Sequence, residues 1–167
     1  LYMARDLHLG PSTIGAILAT GGAGAFIGAM LGRPMLDRLG LGRALIVSTA
    51  LFGVTGLLIP LAVLAPRIAL PMVVASEFLQ WLFAVAYAVN AISLRQSVVP
   101  AELQGRVNGA YRFLTLGANP PGAAVGGALG GLIGLQWTLV VCEIGFFLAL
   151  AWLIFSPIRT MRTFPHQ

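Results

Sequence analysis

Five long apolar stretches fill almost the whole of this 167-residue chain, at residues 14–31, 44–65, 68–91, 109–135 and 137–155. Each lies within or close to the length an α-helix needs to cross a bilayer's hydrocarbon core, roughly 20 residues. Lipid offers no hydrogen bonds to the backbone, so a spanning segment must be a helix or part of a closed barrel, and no strand-like alternation is present. The expectation is an all-α, polytopic membrane protein with five transmembrane helices. Only 9% of residues are charged, against about 25% in an ordinary soluble domain.

Charge placement adds a direction. All ten basic residues are arginine. Arg5 precedes the first stretch; Arg33, Arg38 and Arg43 follow it; Arg67 stands alone; Arg95, Arg106 and Arg112 come next; Arg159 and Arg162 close the chain. Alternate sides therefore hold eight arginines and two. By the positive-inside rule the richer side is cytoplasmic, with the C-terminus inside and the N-terminus outside. An external start that lacks a signal-peptide pattern leads to the expectation of at least one earlier span. The arginines form no stripe with interleaved aromatics, so nucleic acid is not an expected partner. Cys142 is alone within a stretch, which leaves neither a disulfide framework nor a cysteine metal site. No metal or other cofactor is expected.

The first stretch carries Gly24, Gly28 and Gly32 at four-residue spacing, and the fourth carries Gly122, Gly126 and Gly130, with Gly127 and Gly131 beside them. Such faces let helix backbones approach closely in lipid. They serve static packing, or sliding of one helix on another. The run from Gly22 to Gly28 superficially resembles a dinucleotide fingerprint, but its last spacing is one residue too long and no strand precedes it. Asn119-Pro120-Pro121-Gly122 interrupts the fourth stretch near its middle, where proline's missing N–H should kink or open the helix.

Two carboxyls fall inside stretches. Glu77 shares a helical face with Gln80 and Tyr87, and Glu143 has only apolar neighbours on its own span. A carboxyl at membrane depth is costly and by default marks a pathway or a proton site. The plain alternative for each is a neutral, hydrogen-bonded acid, or an ion pair with Arg67 or Arg5. On the fourth stretch Arg112, Thr115 and Asn119 also share a face, so two polar faces are expected to meet around one aqueous cavity.

Two loops carry further pattern. Arg33-Pro34-Met35-Leu36-Asp37-Arg38-Leu39-Gly40-Leu41-Gly42-Arg43 offers Asp37 and Arg38 to neighbouring helix ends, while Gly40 and Gly42 permit a tight reversal. This resembles the loop motif of the major facilitator superfamily in its Asp-Arg-x-Gly-x-Gly-Arg form. The match departs at the leading glycine, whose place is taken by Arg33, with Gly32 adjacent. Leu94-Arg95-Gln96, then Pro100-Ala101-Glu102-Leu103-Gln104-Gly105-Arg106-Val107-Asn108, then Tyr111-Arg112-Phe113 are similar to the loop between the tenth and eleventh helices of the superfamily's bacterial efflux branch, the enterobactin-exporter-like and macrolide-efflux-like members. On its own physics this segment reads as a short interfacial helix, with Pro100 in its first turn, Glu102 favoured by the helix dipole, and Arg95 and Arg106 toward lipid headgroups.

The resemblance covers essentially the whole chain. It implies helices eight to twelve of a twelve-helix transporter, with residues 1–3 the last trace of helix seven and the N-terminal half a missing partner. It further implies that Asp37, Arg38, Gly40, Gly42 and Arg43 form a loop that latches one conformation. The function it implies is secondary active export of a small amphipathic molecule, drug-like or siderophore-like, from the bacterial inner membrane. Proton exchange is the expected driving force, and the candidate pathway residues are Glu77, Gln80, Tyr87, Arg112, Thr115, Asn119 and Glu143. The competing readings are a non-transporting membrane scaffold or receptor, and a lipid-modifying membrane enzyme. The enzyme would need clustered His, Asp or Glu, whereas His8 and His166 lie at opposite ends of the chain. No enzymatic activity is expected.

Overall fold

The computed structural model describes residues 10–62 and 64–155. Expectations that fall on Leu1–Met3, Arg5, His8, Arg159, Arg162 and His166 lie outside the described residues. Within them every regular element is helical: α1 (Pro11–Leu39), α2 (Leu41–Gly56), α3 (Leu58–Leu61), a 3₁₀ turn (Pro66–Ile68), α4 (Ala69–Val98), α5 (Ala101–Gly117), α6 (Asn119–Ile133) and α7 (Leu135–Phe155).

The membrane-crossing reading holds, with altered boundaries. Four segments are long and apolar enough to span: Pro11–Leu39, Leu41–Leu61, Ala69–Val98 and Leu135–Phe155. In the second, α2 and α3 run nearly end to end. Pro60 has no N–H to return to Gly56, and the helix breaks one turn earlier at Leu57. The fourth expected stretch is divided at Ala118, immediately before the two prolines, as their missing donors require. Its first part starts earlier than expected, at Ala101, with Pro100 as N-cap and Glu102 in the first turn. The expected short interfacial helix is therefore the opening of α5 and not a separate element.

The loop expected at residues 33–43 is also mostly helix. Proline at position 34 is accommodated inside α1, which continues to Leu39, so the reversal is made by Gly40 alone. Gly40 adopts φ 76° and ψ 162°, donates its N–H to Leu36 O and accepts from Ala44 N. Gly42 lies buried within α2. Only glycine occupies the Gly40 backbone region without strain. Gly40→Ala is expected to cost about 1–3 kcal/mol, visible as a lower unfolding midpoint in detergent.

Neighbouring residue pairs give the helix directions. Gly24 lies on Phe78, Gly28 on Leu82 and Gly32 on Val89, so α1 and α4 run parallel. A Cβ added at Gly24 or Gly28 would overlap the carbonyl oxygen of Phe78 or Leu82, which shows how close the two backbones come. Asn90, fully buried, donates through Nδ2 to Gly32 O at 3.1 Å and to Ala86 O at 3.1 Å, tying the far ends of α1 and α4 together. The close approach to α4 is made by Gly32, and Arg33, which stands in the place of the motif's leading glycine, is exposed.

α2 runs antiparallel to α4, held where Ser76 Oγ donates to Thr55 O at 2.8 Å. α7 packs on α2 through the Phe52 and Phe146 rings, 5.3 Å apart, and Gln136 Nε2 donates to Pro60 O. The Gly40 turn and the α4–α5 junction therefore share one end of the bundle with Arg38, Arg43, Arg95 and Arg106, while Arg67 lies at the other. α5 and α6 contribute no buried residue. The glycine face expected to pack in α6 is open over most of its length: an added Cβ at Gly122, Gly126, Gly127 or Gly131 would meet nothing within 4 Å, and at Gly130 only the Leu135 side chain.

Candidate functional site

The α4 face carrying Glu77, Gln80 and Tyr87 borders two adjoining cavities. The smaller, about 260 Å³, is lined by Phe52, Glu77, Gln80, Trp81 and Ala84. The larger, about 550 Å³, lies between α2, α4 and α7, and its walls include Ser48, Phe52, Phe83, Ala84, Tyr87, Phe146 and Trp152. Phe52 and Ala84 line both.

Each polar group on this face is held in a specific way. Glu77 is half-buried, and its Oε1 accepts from Trp81 Nε1 at 2.9 Å, one helical turn along. No ion pair to Glu77 is present among the described residues, so the Arg67 alternative is not realised here. Gln80 donates to Ser76 Oγ at 2.8 Å, and Ser76 in turn donates to Thr55 O, so Gln80 extends the α2–α4 tie. Ser76 is fully buried, and sequence reasoning does not single it out. Its signal lies in the spacing, since Ser76 precedes Gln80 by four residues. Ser48 is also fully buried, and its hydroxyl has no hydrogen-bond partner.

Glu143 sits on α7, one turn before Phe146. Its carboxyl packs against the bare Cα of Gly56, where any side chain would displace it. The Ser76–Thr55 bond puts Glu77 level with the same end of α2. Glu77 lines only the smaller cavity, with its carboxyl beside Gly21 of α1, and Glu143 lines neither.

The remaining candidates lie elsewhere. Arg112, Thr115 and Asn119 are exposed, and none lines either cavity. Thr115 Oγ1 bonds back to Tyr111 O and Arg112 O within its own helix. The structure does not bring the α5–α6 polar face to the Glu77 face. Asp37 and Arg38 lie in the last turns of α1, exposed, with no hydrogen bond or ion pair among the described residues. Arg43 is exposed at the start of α2. Arg95 lies over the Tyr111 ring, 3.8 Å from its centroid, and fastens the α4–α5 elbow by a cation–π contact. Gln104 Nε2 reinforces that elbow from α5, donating to Gln96 O and Val99 O. Glu102, Gly105 and Arg106 are exposed on α5.

A helical membrane bundle with an acid beside a cavity between its helices narrows the class, and comparison with known families decides it. The family model described as Major Facilitator Superfamily matches residues 1–166. The chain belongs to the Major Facilitator Superfamily. No match was found among curated proteins, and none among solved structures. As a major facilitator protein the chain is a multi-pass membrane transporter whose partners are the lipid bilayer and a small-molecule substrate. Members of the superfamily are transporters rather than enzymes.

Proposed function

We propose that this major facilitator protein exports a small amphipathic molecule in exchange for protons, with Glu77 as the group that binds and releases the proton. The observation that carries the reading is the placement of Glu77: a half-buried carboxyl on a membrane-spanning helix, bordering a cavity and bonded to Trp81 rather than to a cation. A carboxyl at that depth is costly unless function retains it. The Glu77 carboxyl lies beside Gly21 of α1, and no arginine lines the cavity it borders. The export direction is supported by the similarity of the α4–α5 elbow to the superfamily's bacterial efflux branch.

These spans act with a further helical half. α5 and α6 bury nothing within the described bundle, and the α6 glycine face is free for a close helix partner. A covering half would also give Arg112, Thr115 and Asn119 a surface to face, and Asp37 and Arg38 a set of helix ends to latch. Substrate sites in such transporters lie between repeats near the midplane, and alternating access rocks one repeat against the other.

Orientation comes from charge: the end bearing Arg38, Arg43, Arg95 and Arg106 is cytoplasmic in the bacterial inner membrane. Cysteines introduced at Arg67 and Arg106, both exposed, in a Cys142→Ala background should react with impermeant maleimide from opposite sides. In intact cells Arg67→Cys labels and Arg106→Cys does not. Labelling of both from outside contradicts the orientation. Transport itself is tested with the full-length protein in liposomes, where an imposed pH gradient should drive substrate accumulation and its collapse should abolish it.

A further inference from the structure

Trp81 differs from the other two tryptophans of the chain. Trp137 and Trp152 are exposed on α7 and make no hydrogen bond among the described residues. Trp81 is half-exposed on α4, yet its indole Nε1 donates to Glu77 Oε1 at 2.9 Å. A tryptophan on a spanning helix can bury its ring and must still find a partner for its N–H. Here the partner is a carboxyl, one turn back on the same helix.

The pair is seated on a bare position of α1. A Cβ added at Gly21, which is buried, would come within 2.5 Å of Trp81 Cδ1, 3.0 Å of its Nε1 and 3.1 Å of Glu77 Oε1. The indole edge and the carboxyl together fill the space that a side chain would take. At Gly22, the next residue, an added Cβ would meet nothing within 4 Å. Glu77 Oε1 is therefore enclosed by the indole N–H and the α1 backbone, while Oε2 has no hydrogen bond among the described residues. Both Glu77 and Trp81 line the smaller cavity.

No charge competes for that carboxyl. α1, α2, α3 and the 3₁₀ turn pack against α4. Their charged groups are Arg33, Asp37 and Arg38 late in α1, Arg43 at the start of α2 and Arg67 in the turn, and Glu143 lies beyond α2 on α7. None of these lines the smaller cavity. Gly21 lies twelve residues from Arg33, about 18 Å along the helix.

We infer that Trp81 is a positioning residue for the Glu77 carboxyl: seated on Gly21, its indole N–H holds Oε1 and leaves Oε2 as the oxygen that takes and gives up the proton. This deepens the proposed exchange and rests on the reading of Glu77 as the proton-binding group. On protonation an O–H bond forms at Oε2, and the carbonyl double bond localises on Oε1, which keeps the indole bond. Release reverses both changes. A carboxyl held in one orientation presents the same oxygen each time, as proton transfer over hydrogen-bond distance requires.

The test needs no transported substrate, because the ligand is the proton itself. Full-length protein in nanodiscs is exchanged between acid and alkaline buffer, and the carboxylic C=O stretch is followed by infrared difference spectroscopy. The Glu77 band is the one lost in Glu77→Gln. Trp81→Phe keeps a ring but removes the donor, so that band should move to higher frequency, as a carbonyl freed of a hydrogen bond does. Gly21→Ala keeps donor and acceptor but displaces them, and should shift the band in the same direction. Gly22→Ala should leave it in place. Size-exclusion profiles establish that each variant is folded, and Trp81→Phe, at a half-exposed position, carries the test if Gly21→Ala is not. A Glu77 band that is present but unmoved in Trp81→Phe overturns the inference and leaves Glu77 as the proton-binding group. Loss of no band in Glu77→Gln refutes the proton reading, and the role of Trp81 falls with it.

Discussion

Gly28→Ala in α1 is expected to remove most of the folded protein from a detergent extract, and Gly24→Ala to do nearly the same. In each case the new Cβ would overlap a main-chain carbonyl of α4, at Leu82 or at Phe78, and a carbonyl inside a helix cannot swing aside. The two helices must separate. Overpacking of this kind costs about 1–3 kcal/mol at a single site, and here separation would also stretch the Asn90 bond to Gly32. Gly22→Ala is the matched control on the other face of the same helix, where an added Cβ meets nothing within 4 Å. Alanine is the better helix former, so that variant should be neutral or slightly stabilised. Monodispersity by size-exclusion chromatography and the thermal unfolding midpoint distinguish the three. Equal behaviour of Gly22→Ala and Gly28→Ala would contradict the close α1–α4 packing.

That packing is legible in the sequence because the spacing of Gly24, Gly28 and Gly32 carries it directly. The Gly40 reversal and the break before Pro120 are legible for the same reason, since each depends on a residue whose backbone chemistry is local. The helix boundaries are less so. Arg33 and Pro34 read as a loop, yet α1 runs on to Leu39, because one lost donor at a helix end costs less than the turns that continue beyond it. The identical small-residue spacing in α6 meets only Leu135, at Gly130. Spacing defines a face but not what meets it.

The same limit governs the site. Glu77, Gln80 and Tyr87 do share a face, and that face borders the cavities. Arg112, Thr115 and Asn119 share a face of their own that points elsewhere, because helical periodicity on two helices says nothing of their mutual rotation. The tie from Gln80 through Ser76 to Thr55 depends on a carbonyl of another helix, which no sequence pattern marks. The aromatic cavity is hidden for a further reason. In a chain this apolar, Phe146 and Trp152 are indistinguishable from lipid-facing residues until α2, α4 and α7 are assembled around them.

Glu77→Gln is expected to abolish accumulation driven by a pH gradient, the largest functional effect of any single replacement in this chain. The amide keeps the size of the carboxyl and can still receive the Trp81 N–H, so the wall of the smaller cavity persists. What it loses is the ability to gain and release a proton. Substrate exchange down its own gradient needs only the alternation of the two halves, so it should survive at saturating substrate even where affinity falls. A purely structural role for Glu77 would instead depress both activities together, or neither.

The decisive measurement is therefore a paired one, on wild-type and Glu77→Gln full-length protein in the same liposomes: uptake against an imposed pH gradient, and counterflow with no gradient. Proton-coupled export through Glu77 predicts accumulation in the wild type only, with counterflow in both. Normal gradient-driven accumulation by Glu77→Gln would contradict it.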